Sequence, residues 1–438
     1  MCGIFGVVAA EGVGPSDGIF LPAIVKGCGL VRDVLTDETL PKFSDSRLLM
    51  GHTRYSTAGK KAAINCVQPF VVYTAIGTVA IAHNGELVDA RAKRKEVLEA
   101  GVGLSTDTDS ELIAQMVAKA IALNIKCHED EEKRTDIHLE LAVTMSALNI
   151  SYSLLVMTTD RLYAIRDPFG NRPLCIGTQY STAKNGATRS PLLYFAASES
   201  CALPPSAVLN FEVKPGEIVC LSSKGIQHVC QMKPSPRQAF CIFEYVYFSR
   251  ADSILEGQQV REECGRQLAR EASVVADAVC TVPDSAMAAS IGFASESGIP
   301  FIQALSRNSY VGRSFIQPSN LARQTAVKRK FAVLTENVRG KRIVLIDDSI
   351  VHLRIASPPV RHPCYMGINI PSKEELIANG REVADIQKMI GADSVGYLSV
   401  DGLVKAVQKA AKGGPGGVRA GHCTACLTGD YPVDIEDL

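Results

Sequence analysis

Hydrophobic positions fall into two regimes along the chain. In the first half they come as short apolar runs of strand length. Residues 2–8 form one such run, and residues 78–82 form another that leads into His83-Asn84-Gly85. Residues 152–157 and 161–165 flank Thr158-Thr159-Asp160, a spacing that predicts a hairpin with a three-residue loop. One helix is well signalled between these runs. Thr108 and Glu111 make a T-x-x-E capping box, after which Ile113, Met116, Val117, Ala120 and Ile121 share one face.

The second half alternates. Residues 260–278 carry a helical pattern, and residues 342–346 form an apolar strand ending in Asp347-Asp348. Ser372 and Glu375 predict the cap of a further helix. Strands alternating with helices predict a parallel α/β sheet. The stretch 221–237 is polar and breaker-rich, with Pro234 and Pro236, and marks a boundary. The expected domains are therefore residues 2–230 and 238–438, with a Gly-rich linker over 412–417 before a short tail.

Composition narrows the classes. Lys plus Arg and Asp plus Glu both number 46, so the chain has no charge excess for nucleic acid or an anionic membrane. No segment reaches the ~20 apolar residues of a membrane span. Fourteen cysteines in a long chain without a secretion signal imply a reducing, cytoplasmic setting. There, Cys serves as core, metal ligand or nucleophile rather than crosslink. Cys175, Cys220 and Cys280 read as small core residues.

Several residues could carry chemistry. Trimming Met1 would leave Cys2 with a free α-amine beside its thiol, so one residue would supply nucleophile and base. Taken alone, residues 2–8 read better as a buried apolar strand that happens to contain Cys. Arg54 lies in a polar loop and can clamp a carboxylate with its fork. Asn84-Gly85 can stabilise an oxyanion, or simply turn a hairpin. Asp109 can hold an ammonium group, or merely complement the helix dipole. Asp347-Asp348 closes a strand where open α/β sheets bind ligands, and suits magnesium or sugar hydroxyls. Cys423-x-x-Cys426 has metal-ligand spacing but needs two distant partners; zinc, an iron–sulfur cluster and plain burial all compete.

The runs Cys2-Gly3-Ile4-Phe5-Gly6, His52-Thr53-Arg54-Tyr55, His83-Asn84-Gly85-Glu86, Asp107 to Glu111, Arg166 to Pro173 and Ser198-Glu199-Ser200 resemble the class II glutamine amidotransferases, in the family's order. The resemblance implies an N-terminal-nucleophile αββα sandwich. By it, Cys2 attacks glutamine, Asn84 and Gly85 form the oxyanion hole, and Arg54 and Asp109 hold the amino-acid end. The later runs Glu244 to Arg250, Val282 to Ser285, Gly312 to Ile316, Lys341 to Ile350 and Met366 to Asn369 resemble the glutamine phosphoribosylpyrophosphate amidotransferases. These join the glutaminase to an α/β phosphoribosyltransferase domain and make 5-phosphoribosylamine, the first committed step of purine synthesis. By that likeness, Asp347 and Asp348 contact the ribose and its Mg2+, and Arg313 and Lys328 lie in a loop that closes over substrate. Cys241, Cys364, Cys423 and Cys426 match the ligands of a [4Fe–4S] cluster in the iron–sulfur branch. The likeness also implies a homotetramer inhibited by purine nucleotides.

Two departures stand out. The family's phosphate-binding loop and crossover helix are missing after Val351, where His352 to Ser357 resembles the start of the next strand. An early glutaminase helix has no counterpart between Gly12 and Ser16. Parallel neighbours ordinarily need a crossover of ~10–12 residues, and a helix N-terminus that would cradle phosphate is lost with it. The expectation is a chain with the family's ancestry but negligible phosphoribosylamine formation. A non-catalytic isoform or pseudoenzyme is the second reading. Glucosamine-6-phosphate synthase is a third, but it has no strand ending in Asp-Asp. A phosphoribosylpyrophosphate-sensing regulator would need a DNA-binding element that the chain lacks.

Overall fold

The structure is a computed structural model that describes residues 3–13, 23–27, 30–54, 64–127, 137–182, 189–250, 252–253, 257–308, 329–347, 354–368, 373–374, 376–411 and 421–435. The first half holds β1 (Gly3–Ala9), β2 (Leu48–Thr53), β3 (Phe70–Thr74), β4 (Gly77–Gly85), β5 (Tyr152–Met157), β6 (Arg161–Arg166), β7 (Cys175–Tyr180), β8 (Pro191–Ala197), β9 (Ala207–Glu212), β10 (Glu217–Ser222) and β11 (Gly225–Gln231). They form two antiparallel sheets, ordered β2-β1-β8-β7-β9 and β11-β10-β6-β5-β4-β3.

Alternation along the strands explains why the sheets stack. Ile4 and Val8 of β1 meet Ala82, Leu155, Leu162 and Ala164 of the second sheet in one apolar layer. The opposite parity, Ile81, Leu154, Val156 and Ile165, faces Ile113, Val117 and Ile121 of the helix Asp109–Cys127, and Leu141 and Met145 of the helix His138–Ser146. This period-two switch makes a sheet with two buried faces. A third helix, Ala90–Glu99, was not signalled by the pattern. Among the described residues, no helix of eight or more residues precedes residue 90.

The capping box at Thr108 is half made. The Glu111 N–H donates to Thr108 Oγ1 at 3.3 Å, but the Glu111 carboxylate reaches past Thr108. It accepts instead from the backbone and hydroxyls of Ser105 and Thr106, at 2.6–2.7 Å. The stretch expected to be a polar boundary, 221–237, contributes β11 to the second sheet.

In the second half β12 (Phe240–Cys241), β13 (Ala278–Thr281), β14 (Leu305–Arg307), β15 (Phe331–Val333), β16 (Ile343–Asp347), β17 (Arg354–Ile355), β18 (Gly396–Tyr397) and β19 (His422–Cys423) follow. The parallel sheet runs β13-β16-β17-β18. The helix expected over 260–278 is instead Gly257–Glu271, and Ala278 opens β13, whose four residues are all buried. Gly265 and Gly292 explain how that helix meets Met287–Ser297: a Cβ on either would strike a backbone carbonyl, of Ala289 or Glu262, so the two helices touch main chain to main chain. The helix expected from Ser372 and Glu375 begins on residues outside those described; the next described helix is Val383–Ile390. The linker 412–417 is likewise outside.

The connection after β16 is the unusual element. β17 lies parallel to β16, with Ile346 opposite Arg354 and Asp347 opposite Ile355, and only residues 348–353 join them. The sequence argument held that so short a link leaves no parallel crossover. The structure shows the pairing made nonetheless, over two residue pairs at the carboxyl end of β16. A strand that starts level with the end of its neighbour does not require the chain to travel back down the sheet. No described helix is long and apolar enough to cross a membrane.

Candidate functional site

The open end of the first sheet pair collects the glutaminase candidates. Gly3 pairs with Thr53, so the start of β1 lies beside the strand that delivers Arg54. Arg54 is exposed, and its guanidinium donates to the Cys66 carbonyl at 3.3 Å. Asn84 and Gly85 are no hairpin turn. They are the last residues of β4, opposite Ser153 and Tyr152 of β5. Ser198 links the two sheets there: its Oγ accepts from the Ile4 N–H at 3.0 Å and from Asn84 Nδ2 at 3.3 Å. Sequence reasoning quoted Ser198 only as part of a motif. Its role follows from the approach of β1, β4 and the end of β8.

Asp109 opens its helix at the same end. Oδ2 accepts the Leu87 N–H at 3.0 Å and stands 3.7 Å from His83 Nδ1. His83 is buried, with Nδ1 3.2 Å from Ser110 Oγ and Nε2 3.3 Å from the Ser151 carbonyl, while Gln68 brackets its backbone on both sides. His52 is held neutral: burial, then the neighbouring His83 and Arg54 charges, depress its pKa to about 3. Cys2 itself lies outside the described residues.

Glu86, the residue after the Asn-Gly pair, is a second strongly shifted group at the site. Burial and the nearby Asp109 carboxylate push its carboxyl up to about 7, against the pull of the Gly367 N–H and Arg54. The folded protein thus keeps a proton that the unfolded chain releases above pH 4.5. Stability on this account falls as pH rises from about 4.5 to 7, and the loss is complete above 7. Glu86→Gln should remove that slope. Glu86 as a whole is solvent-exposed, so screening shrinks the effect: at pH 8 the variant is expected to be more stable by about 0.2–1 kcal/mol, with no difference at pH 4.5. Urea unfolding at both pH values checks it; a parallel slope in the two proteins would refute the assignment.

In the second half Asp347 ends β16, buried, and its carbonyl accepts the Ala356 N–H at 2.9 Å. Asp348, Arg313 and Lys328 lie outside the described residues; β14 and β15 form the antiparallel ribbon that flanks residues 309–328.

The four cysteines of the second half come from three places in the chain. Cys241 of β12 lies beside Cys423 of β19 in a parallel pair. Cys426 follows in the short helix Ala425–Thr428, and its carbonyl accepts from Arg361 and His362, which tether the segment leading to Cys364. Burial raises all four thiols above their usual range, Cys364 to about 11, and the other three thiols raise Cys426 further. Among the described residues, no group of three or more His, Cys, Asp or Glu is drawn close enough to hold a metal ion as it stands. The buried guanidinium of Arg172, paired with Glu244 at 2.7 Å, lies near this set.

Fold and site together define a class II glutamine amidotransferase built onto a phosphoribosyltransferase fold. A profile described as "Glutamine amidotransferase domain" matches residues 52–193. The amidophosphoribosyltransferase of Rattus norvegicus is 45% identical over 477 residues, covering 98% of this chain and 91% of that protein. Glutamine phosphoribosylpyrophosphate amidotransferase from B. subtilis, complexed with ADP and GMP, superposes with a TM-score of 0.78 at 33% identity, covering 99% of this chain and 92% of that one. A structure described as the allosteric regulatory enzyme of purine biosynthesis gives 0.81 at 31% identity, covering 100% and 97%. The chain belongs to the amidophosphoribosyltransferase family, whose members are enzymes of purine biosynthesis. The alignment to the rat enzyme is longer than the 438 residues of this chain, so it opens gaps in it.

Proposed function

We propose that the chain carries the two half-sites of glutamine-dependent phosphoribosylamine synthesis, on residues 2–230 and 238–438, but performs the joined reaction negligibly. The carrying observation is the link 348–353: only six residues join β16 to β17, which pairs at the carboxyl end of β16, too few for an ordinary crossover of ~10–12. In the glutaminase half, the Cys2 thiol gives its proton to the α-amine and attacks the carboxamide carbon of glutamine. Asn84 and Gly85 donate to the oxyanion, and Arg54 and Asp109 hold the carboxylate and ammonium ends. The nitrogen takes the proton and departs as ammonia, and water hydrolyses the glutamyl thioester. Ser198 supports this reading, because it ties Asn84 to the start of β1.

In the acceptor half, Asp347 and Asp348 would hold Mg2+ and the ribose hydroxyls, and Arg313 and Lys328 would belong to the loop that closes over substrate. Mg2+ would neutralise the pyrophosphate leaving group. Cys241, Cys364, Cys423 and Cys426 would hold a [4Fe–4S] cluster. Four thiols from three segments, with Cys241, Cys364 and Cys423 each raising the pKa of Cys426, support a thiolate-held group, and the cluster would supply a structural crosslink. Purine nucleotides and self-association into a tetramer are part of the same proposal, as is a cytoplasmic setting.

Purified protein should form phosphoribosylamine from glutamine at a rate near background; parent-like turnover would overturn the proposal. A glutamine-like electrophile separates the second reading: selective alkylation of Cys2 marks an assembled glutaminase, and none marks a non-catalytic protein.

A further inference from the structure

We propose that Met366–Gly367 of the C-terminal half is the seat that holds the oxyanion end of β4, with Ser151 and Glu86 as its positioning residues. The proposal rests on reading Asn84 and Gly85 as the oxyanion donors.

The contact is main chain against main chain. Gly367 has φ +90°, and a Cβ there would lie 2.8 Å from both Cα and C of Gly85 and 3.2 Å from the Glu86 nitrogen. Gly85, at φ +148°, would in turn drive a Cβ into the Ser151 carbonyl. Three backbone segments therefore meet where no side chain fits. Hydrogen bonds fix their order. The Ser151 N–H donates to the Glu86 carbonyl at 2.8 Å, and the Glu86 N–H to the Ser151 carbonyl at 3.0 Å. Ser151 Oγ donates to the Met366 carbonyl at 3.1 Å, a buried bond spanning 215 positions. The Gly367 N–H lies close enough to the Glu86 carboxyl to pull its pKa down, against burial and Asp109.

The seat is anchored on its far side. Met366 is buried; its N–H donates to Cys364 Sγ at 3.4 Å, and Cys423 Sγ stands 3.8 Å from its sulfur. Ala239, Ile150 and Met366 form a small apolar cluster across the two halves. The end of β4 is thus held by Ser151 of the adjacent segment and, through Gly367 and the Met366 carbonyl, by a segment more than two hundred residues away. Oxyanion donors act only when preorganised, so a group that fixes Gly85 acts on the reaction through its geometry.

The test uses the full chain and hydrogen exchange read by mass spectrometry. Ser151→Ala should speed exchange over residues 84–88 roughly threefold, and Gly367→Ala about tenfold or more, while residues 278–281 of β13 stay as in the parent. Glu86→Ala should speed it as well, and Glu86→Gln, which keeps an oxygen beside that N–H, should restore the parent rate. Unchanged exchange at 84–88 in folded Ser151→Ala and Gly367→Ala proteins would overturn the seat. Should Gly367→Ala fail to fold, Ser151→Ala with the Glu86 pair decides. A glutamine-like electrophile is applied in parallel. Faster exchange with Cys2 labelled as fast as in the parent would overturn the positioning role. Faster exchange with no labelling even in the parent leaves the seat standing and removes the oxyanion reading instead.

Discussion

Inserting a helical crossover of ~10–12 residues after Val351 is expected to raise affinity for Mg2+–phosphoribosylpyrophosphate by at least about 100-fold. The present link, residues 348–353, suffices only because β17 begins level with the end of β16. At six residues it is shorter than an ordinary crossover of ~10–12, which leaves no length for the family's phosphate-binding helix. Such a terminus offers two or three charge-assisted N–H bonds at about 1.5–3 kcal/mol each, which amounts to ~10²- to 10⁶-fold in binding. A Gly-Ser insert of equal length is the control. It relieves the geometric constraint on β17 but supplies no oriented donors, and should bring little gain. Calorimetric titration of the three proteins reads the result. Tight binding by the uninserted chain, unchanged by the helical insert, would show that phosphate is held elsewhere.

Breaking the ion pair between Arg172 and Glu244 should cost more stability than any surface change. The two side chains are 0% exposed and meet at 2.7 Å, joining the first half to the second. The Glu244 carboxylate also accepts from Ser249 Oγ at 2.8 Å, and the Arg172 guanidinium sits 5.9 Å from the centre of the Phe248 ring. Arg172→Met or Glu244→Leu leaves one charge buried without its counterpart, an expected loss of about 3–5 kcal/mol. The double variant removes both charges and should recover most of it, since the desolvation cost disappears with them. Urea midpoints for the four proteins of the cycle measure the coupling. Additive losses would mean that the pair is not the connection between the halves.

The neighbouring Arg166-to-Pro173 run shows what such a motif does when it is not catalytic. Arg166 donates to the carbonyls of Gly170, Arg172 and Val213, and Asp167 accepts the N–H groups of Tyr152, Phe169 and Asn171. Asn171 passes the network on, donating to the Ala239 carbonyl and accepting from the Cys241 N–H. The residues that identified the family here are polar groups that bridge the two halves in a buried interface, most of their donors and acceptors paired.

The hairpin over β5 and β6, the apolar face of Asp109–Cys127 and the strand ending at Asp347 were legible because each is written in local periodicity. Glu111 shows the limit. Its spacing from Thr108 was right for a capping box, yet its carboxylate turns to Ser105 and Thr106 because four donors converge there. The helix ending at Glu271 shows another: an apolar run from residue 274 onward continues the helical pattern, but pairing with β16 claims Ala278 for a strand.

Sequence alone determined the family and the order of the two folds and supplied the candidate reactive groups, since these reside in residue types at fixed spacings. Tertiary structure decided how those groups are held. Ser198 between β1 and Asn84, Gly367 against Gly85, and the register of β17 on β16 all join residues far apart in the chain or squeezed by a short connection. Such contacts are set by close packing and by the need to satisfy buried polar groups, which no local pattern records.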